Sequence, residues 1–217
     1  MESRVIGDVL DISVVTGPAT PAWPGDTPFS CGWSWELARG DSVNVSTITT
    51  SPHVGTHADA PLHVAAGWPG TDSLPLEAFS GPATVVHADG LSGPIALDAL
   101  GLPPHGVAGG RLLVRTGCSV SAGSFPGHWP WIAEDALAAL LDSGLRLLGV
   151  DAPSVDARDS RSLALHRGLF ARGAFILENL DLRRVPPGEY FLDAFPLKLQ
   201  GLDAAPVRAV LRPLTRE

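Results

Sequence analysis

Eight short runs of aliphatic and β-branched residues, each stopped by Gly, Pro, Asp or Asn, limit what this chain can fold into. They lie at 9–15, 43–50, 83–88, 111–116, 145–150, 174–177, 189–194 and 207–211. The chain's 24 glycines and 20 prolines, spread without period, supply the turns between them. The run Val43-Asn44-Val45-Ser46-Thr47-Ile48-Thr49 alternates apolar with polar and reads as a half-exposed strand; Leu145-Arg146-Leu147-Leu148-Gly149-Val150 is more continuous and reads as a buried one. Helical signal is confined to 130–143, with Ile132, Ala136, Leu137, Leu140 and Leu141 at helical spacing before Gly144, and to a shorter stretch at 93–100. Strands outnumber helices, and no repeat or linker divides the chain. The pattern therefore predicts one α/β domain over residues 1–217, β-rich, with a mixed sheet and few helices.

Charge removes several functions. With 15 Lys and Arg against 23 Asp and Glu the net charge is −8, and the scattered cations, all but one of them Arg, form no stripe that could neutralise a phosphate backbone. Nucleic acid is not an expected partner. No apolar stretch reaches the ~20 residues of a membrane span. The opening Met1-Glu2-Ser3-Arg4-Val5-Ile6-Gly7-Asp8 lacks the basic and apolar regions of a secretory leader, so a cytoplasmic protein without membrane attachment is expected. Cys31 and Cys118, far apart, indicate neither a disulfide framework nor a thiolate metal site.

Histidine is distributed unevenly. Three of seven fall within the eleven residues His53-Val54-Gly55-Thr56-His57-Ala58-Asp59-Ala60-Pro61-Leu62-His63. Neutral imidazole and carboxylate are the ligands of Zn²⁺ and similar ions, and here they crowd a loop broken by Gly55 and Pro61, just after a strand. In an extended backbone His57 and Asp59, two apart, point the same way. Four such groups could close a tetrahedral site, yet a catalytic zinc keeps a position open for water, so either one is not a ligand or two ions bind. Further along, Glu178 ends the apolar run Ala174-Phe175-Ile176-Leu177, where a buried carboxylate needs a partner; His166 is a second distant candidate. His87, His105 and His128 have no cluster around them. Phe125, Trp129 and Trp131 within 119–131 could wall an aromatic pocket, or equally cover the core or a subunit contact.

The element H-x-G-T-H-x-D-x-P-x-H resembles the signature of the metal-dependent cyclase-like hydrolases, and within them the bacterial kynurenine formamidases. The similarity extends to Asp11-Ile12-Ser13, to Pro21-Ala22-Trp23-Pro24-Gly25-Asp26-Thr27-Pro28, to Gly149-Val150-Asp151-Ala152-Pro153-Ser154 and into the tail after Leu197. It implies a swivelling β/α/β fold, a homodimer and two zinc ions per subunit. His53, His57 and Asp59 would hold one ion, Asp59 would bridge to a second on His166, and Glu178 would touch both. His63 would be left for proton transfer, and Trp23 would lie against an aromatic substrate. The implied reaction is hydrolysis of N-formyl-L-kynurenine to kynurenine and formate, a step of tryptophan degradation, by water that the metal activates. No G-x-S-x-G elbow offers a covalent route. Two other readings share these residues: opening of a related aryl or cyclic amide such as isatin, and a non-catalytic metal or small-molecule binding protein.

Overall fold

Alternate residues of the central runs face opposite ways, and this period of two builds apolar layers on both sides of one sheet. The computed structural model describes residues 9–214; the first eight, read above for a leader, lie outside the described residues. In chain order the strands are β1 (Leu10–Asp11), β2 (Ser30–Trp35), β3 (Val45–Thr49), β4 (His57–Asp59), β5 (Ser80–His87), β6 (Pro94–Ile95) and β7 (Arg111–Arg115). Then come β8 (Trp131–Ile132), helix α1 (Glu134–Asp142), β9 (Leu147–Val150), helix α2 (Ala164–Ala171), β10 (Phe175–Glu178), β11 (Gly188–Asp193), β12 (Ala204–Pro206) and β13 (Val210–Pro213).

Nine strands form one mixed sheet in the order β1-β13-β11-β5-β7-β9-β10-β4-β12. The four central strands, β5, β7, β9 and β10, run parallel, and antiparallel strands flank them on both sides. The connections from β7 to β9 and from β9 to β10 pass through α1 and α2, which touch each other. Leu112, Val114, Leu148, Val150 and Ile176 pack with the helices' Leu137, Leu140, Leu165 and Leu169; Leu113, Leu147 and Leu177 turn to the other layer, with Ile12, Phe79, Leu192 and Leu211. β9 is buried along its whole length, as its continuous apolar run requires. Gly149 permits the close approach there: a Cβ would lie 2.5 Å from Leu113 Cδ2 and 2.9 Å from Leu180 Cδ1. The α/β class, the mixed sheet and the scarcity of helix agree with the sequence reading.

Several local expectations do not hold. The 93–100 segment is not a helix: Pro94–Ile95 pairs with Trp131–Ile132, and a single 3-10 turn at Asp98–Leu100 ends on left-handed Gly101. Gly93 takes a left-handed backbone at φ +67°, and the residue before a proline is disfavoured in the α region, so no helix starts there. The helix expected from residue 130 begins at Glu134, because Trp131 and Ile132 are taken by that pairing. β2 and β3 form a separate hairpin exposed on both faces, not a half-covered strand, and Trp33, Trp35 and Ile48 are more than half exposed. No helix among the described residues is long and apolar enough to cross a membrane.

Candidate active site

β4 is the floor of the site. Ala58 faces the apolar layer, so His57 and Asp59 face the opposite side, and all three are buried. Antiparallel pairing sets Glu178 of β10 directly across from His57, and β12 covers the other edge of β4 with Ala204 opposite Asp59. Just before β4, Gly55 turns the chain with φ +78°, a conformation that favours glycine, and its carbonyl receives the His57 Nδ1–H at 2.9 Å. That bond leaves His57 Nε2 facing inward. His166 comes from α2, where Asp156 accepts the backbone N–H groups of Leu165 and His166 at 3.0 and 3.1 Å and the His166 Nδ1–H at 2.6 Å. Its Nε2 also faces inward.

These constraints make ligand atoms converge. His53 Nδ1, His57 Nε2 and Asp59 Oδ1 lie 3.1, 3.1 and 3.4 Å from one another. The edge of a tetrahedron around Zn²⁺, with bonds of about 2.0–2.2 Å, is about 3.3–3.6 Å. Asp59 Oδ1 is buried without a hydrogen-bond partner, a costly state that a cation would relieve. On the other side of the same carboxylate, Asp59 Oδ2 lies 3.1 Å from His166 Nε2, which is 3.3 Å from Glu178 Oε1. Glu178 Oε2 reaches back to within 3.5 Å of His57 Nε2. The donor set thus fits one divalent ion at His53, His57 and Asp59; beside it the ligand atoms of Asp59, His63 and His166 also converge, with Glu178 Oε1 next to His166 Nε2.

Electrostatics agree with cation-seeking groups. Burial opposes the charged form of His53, but contacts with Asp203 and Asp59 raise its pKa to about 10. His57 is likewise opposed by burial and raised by Asp59 to about 9. His166, despite burial, is raised well above the ordinary imidazole range by Asp156, Asp59 and Glu178. Asp59 and Glu178 are lowered by these histidines against the cost of burial.

His63 sits in the 3-10 turn Pro61–His63, its ring centroid 4.5 Å from that of His53 and 5.6 Å from that of His166. His63 is less enclosed than His57 and His166 and lines a cavity of about 270 Å³ with His53, His166 and Glu178. Trp23, Phe125 and Leu163 form the cavity's apolar wall. Trp23 meets Phe125 edge-on at 5.4 Å and Trp129 at 5.9 Å. Of the three aromatics left open in 119–131, Phe125 lines the cavity, Trp129 is buried behind it with its indole N–H on the Asp156 carbonyl, and Trp131 packs on the core. A roomier depression beside Trp68 and Phe170 has no ionisable side chain in its lining.

All six expected site residues with titratable side chains, His53, His57, Asp59, His63, His166 and Glu178, are brought together, and Trp23 stands beside them. His87 and His105 bind the Val185 carbonyl and Glu189 instead, and no potential metal cluster among the described residues includes His128. Sequence reasoning missed Asp156, Asp203 and Asn179, which lines the same cavity with its side-chain oxygen buried and unpartnered. Asp203 Oδ2 lies 3.0 Å from His53 Nε2 and 3.4 Å from His63 Nδ1, although 140 residues separate it from His63.

Residues 10–157 match the model of the protein family described as "Putative cyclase". The chain belongs to this cyclase family. A kynurenine formamidase of Salinibacter ruber is 44% identical over 211 residues, which cover 94% of this chain and 97% of that one. Among solved structures, that of a predicted metal-dependent hydrolase from Bacillus stearothermophilus aligns at 30% identity over 94% of this chain and 97% of its own, with a TM-score of 0.76. Isatin hydrolase A from Ralstonia solanacearum shares the fold at 23% identity and a TM-score of 0.78, covering 94% of this chain and 91% of its own. The segment matched to the cyclase family contains the His53–His63 element; His166 and Glu178 lie beyond it.

Proposed function

We propose that this cyclase-family member hydrolyses N-formyl-L-kynurenine to L-kynurenine and formate, a step of tryptophan degradation in the cytoplasm. The observation that carries this is the convergence of His53 Nδ1, His57 Nε2 and the unpartnered Asp59 Oδ1 at the end of an aromatic-walled cavity. The formamidase relative supports the substrate. In this reading His53, His57 and Asp59 hold one zinc ion, and Asp59, His166 and Glu178 hold a second. Zinc bound there supplies Lewis acidity for the formyl carbonyl and lowers the pKa of water towards ~7.

The chain's own groups do the rest. Trp23 and Phe125 receive the aryl ring and keep bulk water from the scissile bond. His63 takes a proton at Nε2 from the attacking water and returns it to the departing aniline nitrogen. The C–N bond breaks, the formyl carbon gains hydroxyl, and the nitrogen gains hydrogen. Such proton transfer contributes ~10²–10⁴-fold. A homodimer accompanies this reading: an exposed two-stranded hairpin such as β2–β3 is marginal alone, and a second copy would cover Trp33, Trp35 and Ile48.

The test is steady-state hydrolysis of N-formyl-L-kynurenine beside isatin and formanilide by the zinc-loaded protein. Preference for formylkynurenine is expected. Preference for isatin would transfer the same chemistry to a cyclic amide, and turnover of none would leave a binding protein.

A further inference from the structure

Each inward-facing imidazole of the site has a partner for its outer nitrogen. His57 uses the Gly55 carbonyl and His166 uses Asp156, each an acceptor serving one ring. The remaining two rings, His53 and His63, meet the same atom, Asp203 Oδ2. An ionised carboxylate only accepts hydrogen bonds, so each ring presents an N–H to it. A neutral imidazole that donates from one nitrogen has its lone pair on the other. For His53 the donor is Nε2, and the lone pair is on Nδ1, the atom 3.1 Å from both His57 Nε2 and Asp59 Oδ1. For His63 the donor is Nδ1, and the lone pair is on Nε2.

We propose that Asp203 is a positioning residue that fixes the tautomers of His53 and His63 through one shared oxygen, and so ties the grip on metal to the readiness of the base. The inference rests on the roles assigned to those two histidines above. The fold holds Asp203 firmly for such a task. It immediately precedes β12, whose Ala204 pairs with Asp59, and its carbonyl accepts the Ala60 N–H at 2.8 Å. The same loop is held from behind by Asp72, whose Oδ1 accepts the Gly201 N–H at 3.0 Å. Register with β4 therefore sets where the carboxylate stands relative to both rings. Asp203 acts through His53 and His63 and needs no contact with substrate.

Asp203→Asn keeps the shape and removes the charge, while Asp72→Asn exchanges the charged acceptor of the Gly201 N–H for a weaker neutral one on the same loop, without touching either ring. Three readouts are compared: zinc affinity by chelator competition, kcat and KM for N-formyl-L-kynurenine, and histidine tautomers from long-range ¹H–¹⁵N spectra of the zinc-loaded protein. For Asp203→Asn, zinc affinity should fall about 10- to 100-fold, the usual effect of losing a ligand's outer partner. The kcat should fall at least tenfold with KM within about threefold, and the Nδ1–H signature of His63 should weaken. Asp72→Asn should leave all three near wild type. Wild-type-like affinity and kcat in Asp203→Asn, an Nε2–H tautomer of His63 in the wild type, or an Asp72→Asn variant that reproduces the losses would each overturn the inference. Affinity and tautomer need no turnover, so they decide the role of Asp203 even if formylkynurenine proves not to be the substrate.

Discussion

Loading the metal-free protein with zinc should expel protons in a number that the site predicts. His53 and His57, with pKa values of about 10 and about 9, are both almost fully protonated at pH 7.5. Zinc binds only neutral imidazole, so the first ion must release about two protons. Each proton makes the binding free energy change by about 1.4 kcal/mol per pH unit, so two give nearly 3 kcal/mol. Affinity should therefore weaken about a hundredfold for each unit of falling pH below about 9, and level off above about 10 as both rings become neutral. The metal-free fold responds oppositely. Folded-state pKa values raised above the ordinary 6.5 contribute stability that is complete below pH 6.5 and is lost as pH rises through about 9 and about 10. Calorimetric titration at pH 7.5 in Hepes and in Tris, which differ in ionisation enthalpy, yields the proton count directly. Release of less than about half a proton by the first ion would refute the reasoning, because the rings would then already be neutral.

His63→Ala should lower kcat by roughly 10²–10⁴-fold with zinc content near wild type by elemental analysis; an empty site would make His63 a ligand. Asp59→Ala and Glu178→Ala should instead lose metal on dialysis, since each removes an oxygen that faces both candidate ion positions. Trp23→Ala should raise KM about three- to tenfold with little change in kcat, in keeping with about 0.5–1.5 kcal/mol for an aromatic contact; an unchanged KM would place Trp23 outside substrate contact. Gly149→Ala should destabilise the fold by about 1–3 kcal/mol in urea denaturation, because its Cβ would meet Cδ2 of the fully buried Leu113 at 2.5 Å and Cδ1 of the fully buried Leu180 at 2.9 Å.

Much of the site was legible because its chemistry is local in sequence. His53, His57, Asp59 and His63 crowd eleven residues, and Glu178 betrayed itself as a charge ending an apolar strand. Asp203 and Asp156 were illegible for the opposite reason: each is one acidic residue among many, given meaning only when β12 closes on β4 and when a loop caps α2. The central strands were readable from their continuous apolar runs, but β4 was not. His-Ala-Asp has no strand-forming residue, and its extended form is imposed by neighbours on both edges. α2 was missed because eight residues including a glycine and an arginine show too little period, although Leu165 and Leu169 are four apart and buried. The alternation of β3 was seen and β2 was not, and alternation cannot reveal that both faces of the hairpin stand exposed.

β4 has no near-sequence partner in the sheet; both strands that grip it, β10 and β12, come from near the far end of the chain. During synthesis from the N-terminus, His53, His57 and Asp59 leave the ribosome long before anything exists to hold them in register. Contacts this distant in sequence are the slowest to close. The centre is accordingly among the last parts of the molecule to be completed. A nascent chain stalled before β10 would expose a histidine-bearing strand that lacks Glu178 and has neither of its pairing neighbours, so tight zinc capture would mark a finished chain.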